Sequence, residues 1–96
     1  MPARAPRGQR ASQVARQSPR FAADARALGT RVRELRESRG WTLERAAEAM
    51  DLDLKHLQKV EAGKLNVTLV TLVRIAGGFG EPLSSLFAEV RGRAKR

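Results

Sequence analysis

Cysteine and tyrosine are absent from the chain and histidine occurs once, which removes most of the side chains that enzymes use for covalent and metal chemistry. Without thiols there is no disulfide framework, no thiolate zinc site and no cysteine nucleophile, and a single imidazole does not build a histidine metal cage. The redox compartment is therefore left open. Neither G-x-x-x-x-G-K-[ST] nor G-x-G-x-x-G occurs, so no phosphate-cradling loop of either kind is encoded. Long apolar runs are also missing, and none approaches the ~18 residues that a membrane span needs. The N-terminal stretch lacks the continuous apolar segment of a secretory leader and the apolar face of a transit peptide. No segment shows the alternation of a strand, and no internal repeat is evident. These gaps favour a binding protein over an enzyme, with no cofactor and no metal ion.

What the chain has in excess is positive charge. Nineteen Lys and Arg stand against ten Asp and Glu, a net charge of +9 that points to a polyanionic partner. The excess lies entirely at the ends. Residues 1–20 carry five arginines and no acid, residues 91–96 carry three arginines and a lysine, and residues 21–90 carry equal numbers of basic and acidic side chains. Residues 1–20 are also rich in Pro, Ala, Gln and Ser, with Val14 as the one large apolar side chain after Met1, so they cannot build a core. The expected organisation is a disordered basic arm over 1–18, one folded unit with a single small core over 19–90, and a basic tail over 91–96.

Within the neutral middle, apolar residues recur at helical spacing. Ser18-Pro19 predicts the start of a first helix, because Ser caps well and Pro at the first helical position loses no hydrogen bond. Phe21, Ala25, Leu28, Val32 and Leu35 then share one face as far as about Arg39. Gly40 supplies a stop, and Thr42 is placed to cap a second helix with Leu43, Ala46, Ala47 and Met50 on its apolar side. Asp51-Leu52-Asp53 makes a tight connection. Asp53 caps a third helix over 54–61, which Ala62-Gly63 ends. In that helix Leu57 and Val60 point one way, and Lys55, Gln58, Lys59 and Ala62 the other. Thr68 caps a fourth helix, apolar nearly all round, which Gly77-Gly78-Phe79-Gly80 is expected to break. Pro82 then starts a fifth, short helix with Leu83, Leu86, Phe87 and Val90 inward. The fold expected is all-α.

Two short helices joined by a tight turn, the second with one apolar and one basic polar face, meet the physical requirement for presenting a helix to the DNA major groove. That groove admits one helix, and the preceding helix braces it while crossing the phosphate backbone. Small residues such as Ala46 and Ala47 let the two approach closely.

The residues from Leu28 to Phe87 also resemble a known family. Leu28-Gly29-Thr30-Arg31-Val32-Arg33-Glu34-Leu35-Arg36 at the start, Arg45-Ala46-Ala47-Glu48-Ala49-Met50 in the middle, and Thr71-Leu72-Val73-Arg74-Ile75-Ala76 late in the run are similar to the lambda-repressor/Cro-like (XRE-type) helix-turn-helix family. So above all is the close of the third helix, Leu57-x-x-Val60-Glu61-x-Gly63-Lys64. The loop variant Asn66-Val67-Thr68 resembles restriction-modification controllers and related small bacterial regulators.

The resemblance implies a compact five-helix DNA-binding domain, usually a symmetric dimer on a palindromic operator, working in the cytoplasm on the nucleoid as a transcriptional regulator or repressor. It implies an ion pair between Arg36 and Glu61 that ties the third helix to the first. It places base-reading positions at Leu54, Lys55, Gln58 and Lys59, and backbone contacts at Thr42, Lys64 and Asn66. This chain departs from the family pattern where Leu43 replaces a Gln, Asp51 a turn Gly and Leu54 a polar reading residue. Lys55 and Lys59 suit guanine O6 and N7 as well as phosphates, and Leu54 suits a thymine methyl.

Simpler readings compete at several positions. Lys55 and Lys59 alone would be a solvated helix face. His56, grouped with the DNA-binding residues, is expected at the surface or facing a phosphate, since no second ligand is spaced to join it in a metal site. Trp41 is expected as a lid over the first helix and not as a platform for bases. Val70, Val73, Phe79, Leu83 and Phe87 exceed what so small a unit needs inside, which points to a homodimer through the fourth and fifth helices. The alternative function is a protein-interaction module on the same scaffold, an antitoxin or adaptor whose apolar helices or arms grip a protein partner.

Overall fold

Each helix begins where the sequence places a capping oxygen. In the computed structural model, which describes residues 18–64 and 66–88, Ser18 Oγ accepts the Phe21 N–H at 3.0 Å and Thr42 Oγ1 the Arg45 N–H at 3.0 Å. Asp53 Oδ2 accepts from Lys55 at 3.1 Å, and Thr68 Oγ1 from Thr71 at 3.2 Å. Each such cap satisfies one orphan donor and contributes about 1 kcal/mol. The helices that follow are α1 (Pro19–Ser38), α2 (Leu43–Met50), α3 (Leu54–Glu61) and α4 (Leu69–Phe79), and a 3-10 turn, Leu83–Phe87, comes last. Among the described residues there is no strand, and no helix is long and apolar enough to cross a membrane.

The core is shared by every element. Val32 and Leu35 enter it from α1, Ala46, Ala47 and Met50 from α2, Leu57 and Val60 from α3, Ile75, Ala76 and Phe79 from α4, and Leu86 from the 3-10 turn. Leu28, Leu54, Leu72 and Leu83 pack on it while keeping part of their surface exposed. Two arginines tie the ends of this assembly. Arg31 Nε donates to the Ser85 carbonyl at 2.7 Å, joining α1 to the 3-10 turn. Arg39 donates to the Phe79 carbonyl at 2.9 Å and to Glu81 at 3.0 Å, and its guanidinium lies 4.9 Å from the centre of the Phe79 ring. The Ser85 hydroxyl, and then Arg39, hold the Glu81 carboxyl below the usual carboxylate range.

Three expectations change. The fourth helix does not break at Gly77 but runs through Gly78 and Phe79 to stop at Gly80, whose φ is 70°. Phe79 therefore sits on the inward face of an intact helix, 6% exposed, and Leu83 packs on the core, so neither belongs to a surface apolar excess. Finally, the fifth helix is a 3-10 turn of five residues. Val90, the basic tail and the N-terminal arm up to residue 17 lie outside the described residues.

Candidate nucleic-acid interface

The outward side of α3 is set by what holds its inward side. Leu57 and Val60 are shut into the core, and Lys55, Gln58 and Lys59 are left exposed on the other face. Behind α3 lies α1, and the two backbones meet at Gly29. A Cβ at that position would lie 2.4 Å from the Val60 carbonyl oxygen and 2.6 Å from that of Glu61. This bracing residue was not singled out from sequence, although a glycine inside a helical pattern, where it costs about 1 kcal/mol relative to Ala, is itself a sign of close approach.

Below that contact, Arg36 and Glu61 form a two-pronged ion pair. Nε donates to Oε2 at 2.7 Å and Nη2 to Oε1 at 3.1 Å, with the two side chains 12% and 7% exposed. The third prong of the guanidinium donates to the Trp41 carbonyl at 2.8 Å. Its hydrogen bond to Glu61, against the opposing effect of burial, raises the Arg36 pKa further above its already high ordinary value. The buried Ala46 and Ala47 of α2 present methyl groups to their neighbours, which keeps contacts between the helices short.

The sequence-derived positions fall into four sets. Thr42, Lys55, Gln58, Lys59 and Lys64 are exposed, and Thr42 also caps α2 through its hydroxyl. Leu54 is half-buried, with part of its side chain on the core and part open beside Lys55. Asn66 is exposed but also lines a cavity of about 460 Å³ whose walls include Phe21, Leu28, Leu72, Leu86 and Phe87. His56 differs from expectation. It is half-buried, and its Nε2 is closed off from solvent and meets no hydrogen-bond partner among the described residues. Trp41 is also half-buried. Its ring stacks on Phe79 of α4 at 5.8 Å, with Arg45 5.3 Å and Arg39, at the end of α1, 5.9 Å from its centre.

The turn between α2 and α3 is closed by Asp51, the one described non-glycine residue with positive φ, at φ 55° and ψ 47°. There the Leu52 N–H reaches back to the Ala47 carbonyl at 2.9 Å, the closure of a Schellman-type helix end. A side chain in the left-handed region costs roughly 1–2 kcal/mol, part of which Asp recovers by local hydrogen bonding. Asp51→Gly is expected to raise stability by about 1 kcal/mol in urea denaturation. The Arg74 guanidinium still has the residue-51 carbonyl to bond, because it uses the backbone oxygen. An unchanged or lower midpoint would mean that the carboxylate holds the turn.

Comparisons with known proteins agree with this geometry. A family model described as helix-turn-helix matches residues 32–86. Control protein C.MunI from Mycoplasma sp is 38% identical over 64 residues, which are 66% of this chain and 86% of that protein. The HTH-type transcriptional regulator SutR of Escherichia coli K12 is 38% identical over 64 residues, 67% of this chain, and the chain spans only 36% of SutR's length. Among solved structures, the restriction-modification controller protein C.AhdI from Aeromonas hydrophila has a TM-score of 0.66 at 35% identity. That match covers 68% of this chain and 98% of C.AhdI. A transcriptional regulator from Vibrio cholerae has a TM-score of 0.67 at 27% identity, over 70% of this chain and 38% of that one.

Proposed function

The chain belongs to the XRE-type helix-turn-helix family, and from that premise we propose that it is a sequence-specific DNA-binding transcriptional regulator whose α3 enters the major groove of a palindromic operator. One observation carries the reading: a short helix fixed from behind by a backbone contact and a buried ion pair turns exposed Lys55, Gln58 and Lys59 outward. Lys55 and Lys59 donate to guanine O6 and N7, Gln58 reads adenine, and the open part of Leu54 meets a thymine methyl. Thr42, Lys64 and Asn66 hold phosphates. The likeness to C.MunI and C.AhdI over most of their lengths supports a regulator of the controller kind.

Leu69, Val70 and Val73 of α4 and Phe87 of the 3-10 turn are the exposed large apolar side chains among the described residues. A second copy of the chain covers them, giving the two-fold symmetry that a palindrome matches. The working compartment is the cytoplasm, on the nucleoid.

Selection of bound duplexes from a random pool tests the reading. Enriched sites are expected to outcompete random DNA by ~10³ or more, and to carry inverted half-sites. Changing Lys55 and Lys59 to Ala is expected to cost about 1–3 kcal/mol for each base no longer read and to relax the preference at the matching positions. Enrichment of single half-sites would remove the dimer. Binding without any preference would favour the protein-interaction module instead.

A further inference from the structure

Ion pairing among the described residues is nearly complete for arginine. Six of the eight described arginines are held by carboxylates, and Arg74 donates to the Asp51 carbonyl. Arg26 is the exception: it is exposed, and its guanidinium meets no acceptor among the described residues. The sequence explains why. On a helix, charges pair three or four residues apart, and the positions at those distances from Arg26 are Ala22, Ala23, Gly29 and Thr30, none of them acidic. Asp24, two residues away, is turned to Arg20.

The other described cations that meet no acceptor among the described residues are Lys55, Lys59 and Lys64, and Arg26 is built against the end of α3 that carries Lys59 and Lys64. The Lys64 N–H donates to the Lys59 carbonyl at 3.0 Å, which folds the chain back at the end of α3. Between these lysines stands Gly63, with φ 71°, a conformation open to glycine at no steric cost. A Cβ on Gly63 would lie 2.9 Å from Arg26 Cα and 3.0 Å from Arg26 Cγ. The absence of a side chain at Gly63 thus lets the Arg26 turn of α1 lie directly against the end of α3. The unpaired cations run along α3, past its last turn and onto α1.

We propose that Arg26 is a phosphate-binding position for duplex DNA, gripping the strand that bounds the major groove beyond the C-terminal end of α3; this rests on the reading of α3 as the groove helix. The major groove takes a helix by its diameter, with the N-terminal residues of the helix on the base edges. The C-terminal end of α3, at Glu61, is therefore the end that leaves the bases, and a cation just beyond it is placed to meet the bounding backbone. A guanidinium binds phosphate with two parallel hydrogen bonds and is weakly hydrated, which suits it to this contact better than an ammonium. Such a contact fixes register and carries no sequence information.

The test is a salt series of binding to the enriched duplex and to a random one, with wild type, Arg26→Gln, Arg26→Lys, Arg33→Gln and Lys59→Ala. Arg33 is the control, because it loses the same formal charge from the same helix but is already paired with Glu37. Arg26→Gln is expected to reduce the slope of log affinity against log salt by about 0.9 and to weaken both duplexes equally, by up to about tenfold at about 0.1 M salt. Arg26→Lys is expected to keep the slope, and Arg33→Gln to leave it unchanged. If Lys59→Ala weakens binding while Arg26→Gln leaves the slope at the wild-type value, the groove-helix reading stands and the Arg26 contact is wrong. A slope reduced as much by Arg33→Gln as by Arg26→Gln would mean that net charge alone acts, which also overturns it. If wild type prefers no duplex, both readings fall together.

Discussion

Glu61→Ala is expected to remove about 3–5 kcal/mol of stability, the largest loss from any one side chain considered, because it leaves the Arg36 guanidinium buried without its carboxylate. A domain of this size has about 5–15 kcal/mol in total, so the variant is expected to be marginal at room temperature. Two features make the effect large. The pair is two-pronged, and both side chains are almost closed to water, where solvent does little to weaken the attraction. The exposed Arg33–Glu37 pair is the contrast. With side chains 63% and 57% exposed, its loss should cost well under 1 kcal/mol. Urea denaturation of the two variants reads the difference directly. Glu61 faces inward, so where Glu61→Ala remains folded, its choice among DNA sequences is expected to match wild type. A changed choice at full folding would mean that the carboxylate acts on the bases. Replacing both partners with apolar residues should recover part of the loss, though not all, because the Trp41 carbonyl would lose its donor.

Gly29→Ala is expected to cost about 2–3 kcal/mol and to weaken DNA binding with it, for a different reason. The added methyl group would meet the carbonyl oxygens of Val60 and Glu61 well inside contact distance, and both are backbone atoms that cannot rotate away. The helices must separate, and such overpacking costs about 1–3 kcal/mol or more. The intrinsic gain of Ala over Gly in a helix, about 1 kcal/mol, is too small to reverse that. Gly77→Ala supplies the opposite sign in the same fold. It too lies inside a helix, but a Cβ there meets nothing within 4 Å, so the propensity gain should appear as about 0.5–1 kcal/mol of added stability. Thermal or urea denaturation of the pair separates the two effects. If Gly29→Ala proved neutral, α1 would not be holding α3 at that point, and the stance of α3 would rest on the Arg36–Glu61 pair and on Leu57 and Val60 in the core.

The parts of this fold that are readable in the chain are those decided over a few residues. Ser18, Thr42, Asp53 and Thr68 are legible as caps from residue type and the apolar spacing that follows, and each makes the expected hydrogen bond. The same periodicity turns Leu57 and Val60 inward and Lys55, Gln58 and Lys59 outward, as they stand in the fold. The Arg36–Glu61 pair, 25 residues apart, follows from family resemblance and not from spacing. The misreadings share another origin. Gly77, Gly78 and Gly80 look like a helix break, yet α4 continues to Phe79 because its buried face, with Ile75 and Ala76, outweighs the weak propensity of two glycines. His56 looks like a surface residue from its neighbours Lys55 and Gln58, but its Nε2 is closed off from solvent.

Local order thus accounts for where the helices begin, which side of α3 is apolar and what charge its other side carries, since capping, periodicity and side-chain type act within a turn or two of helix. The contact at Gly29, the enclosure of Phe79 and the position of Arg26 beside Gly63 depend on segments far apart in the chain meeting, and that is settled only when whole helices pack. Burial and close approach are properties of pairs of elements, and no short stretch of residues carries them alone.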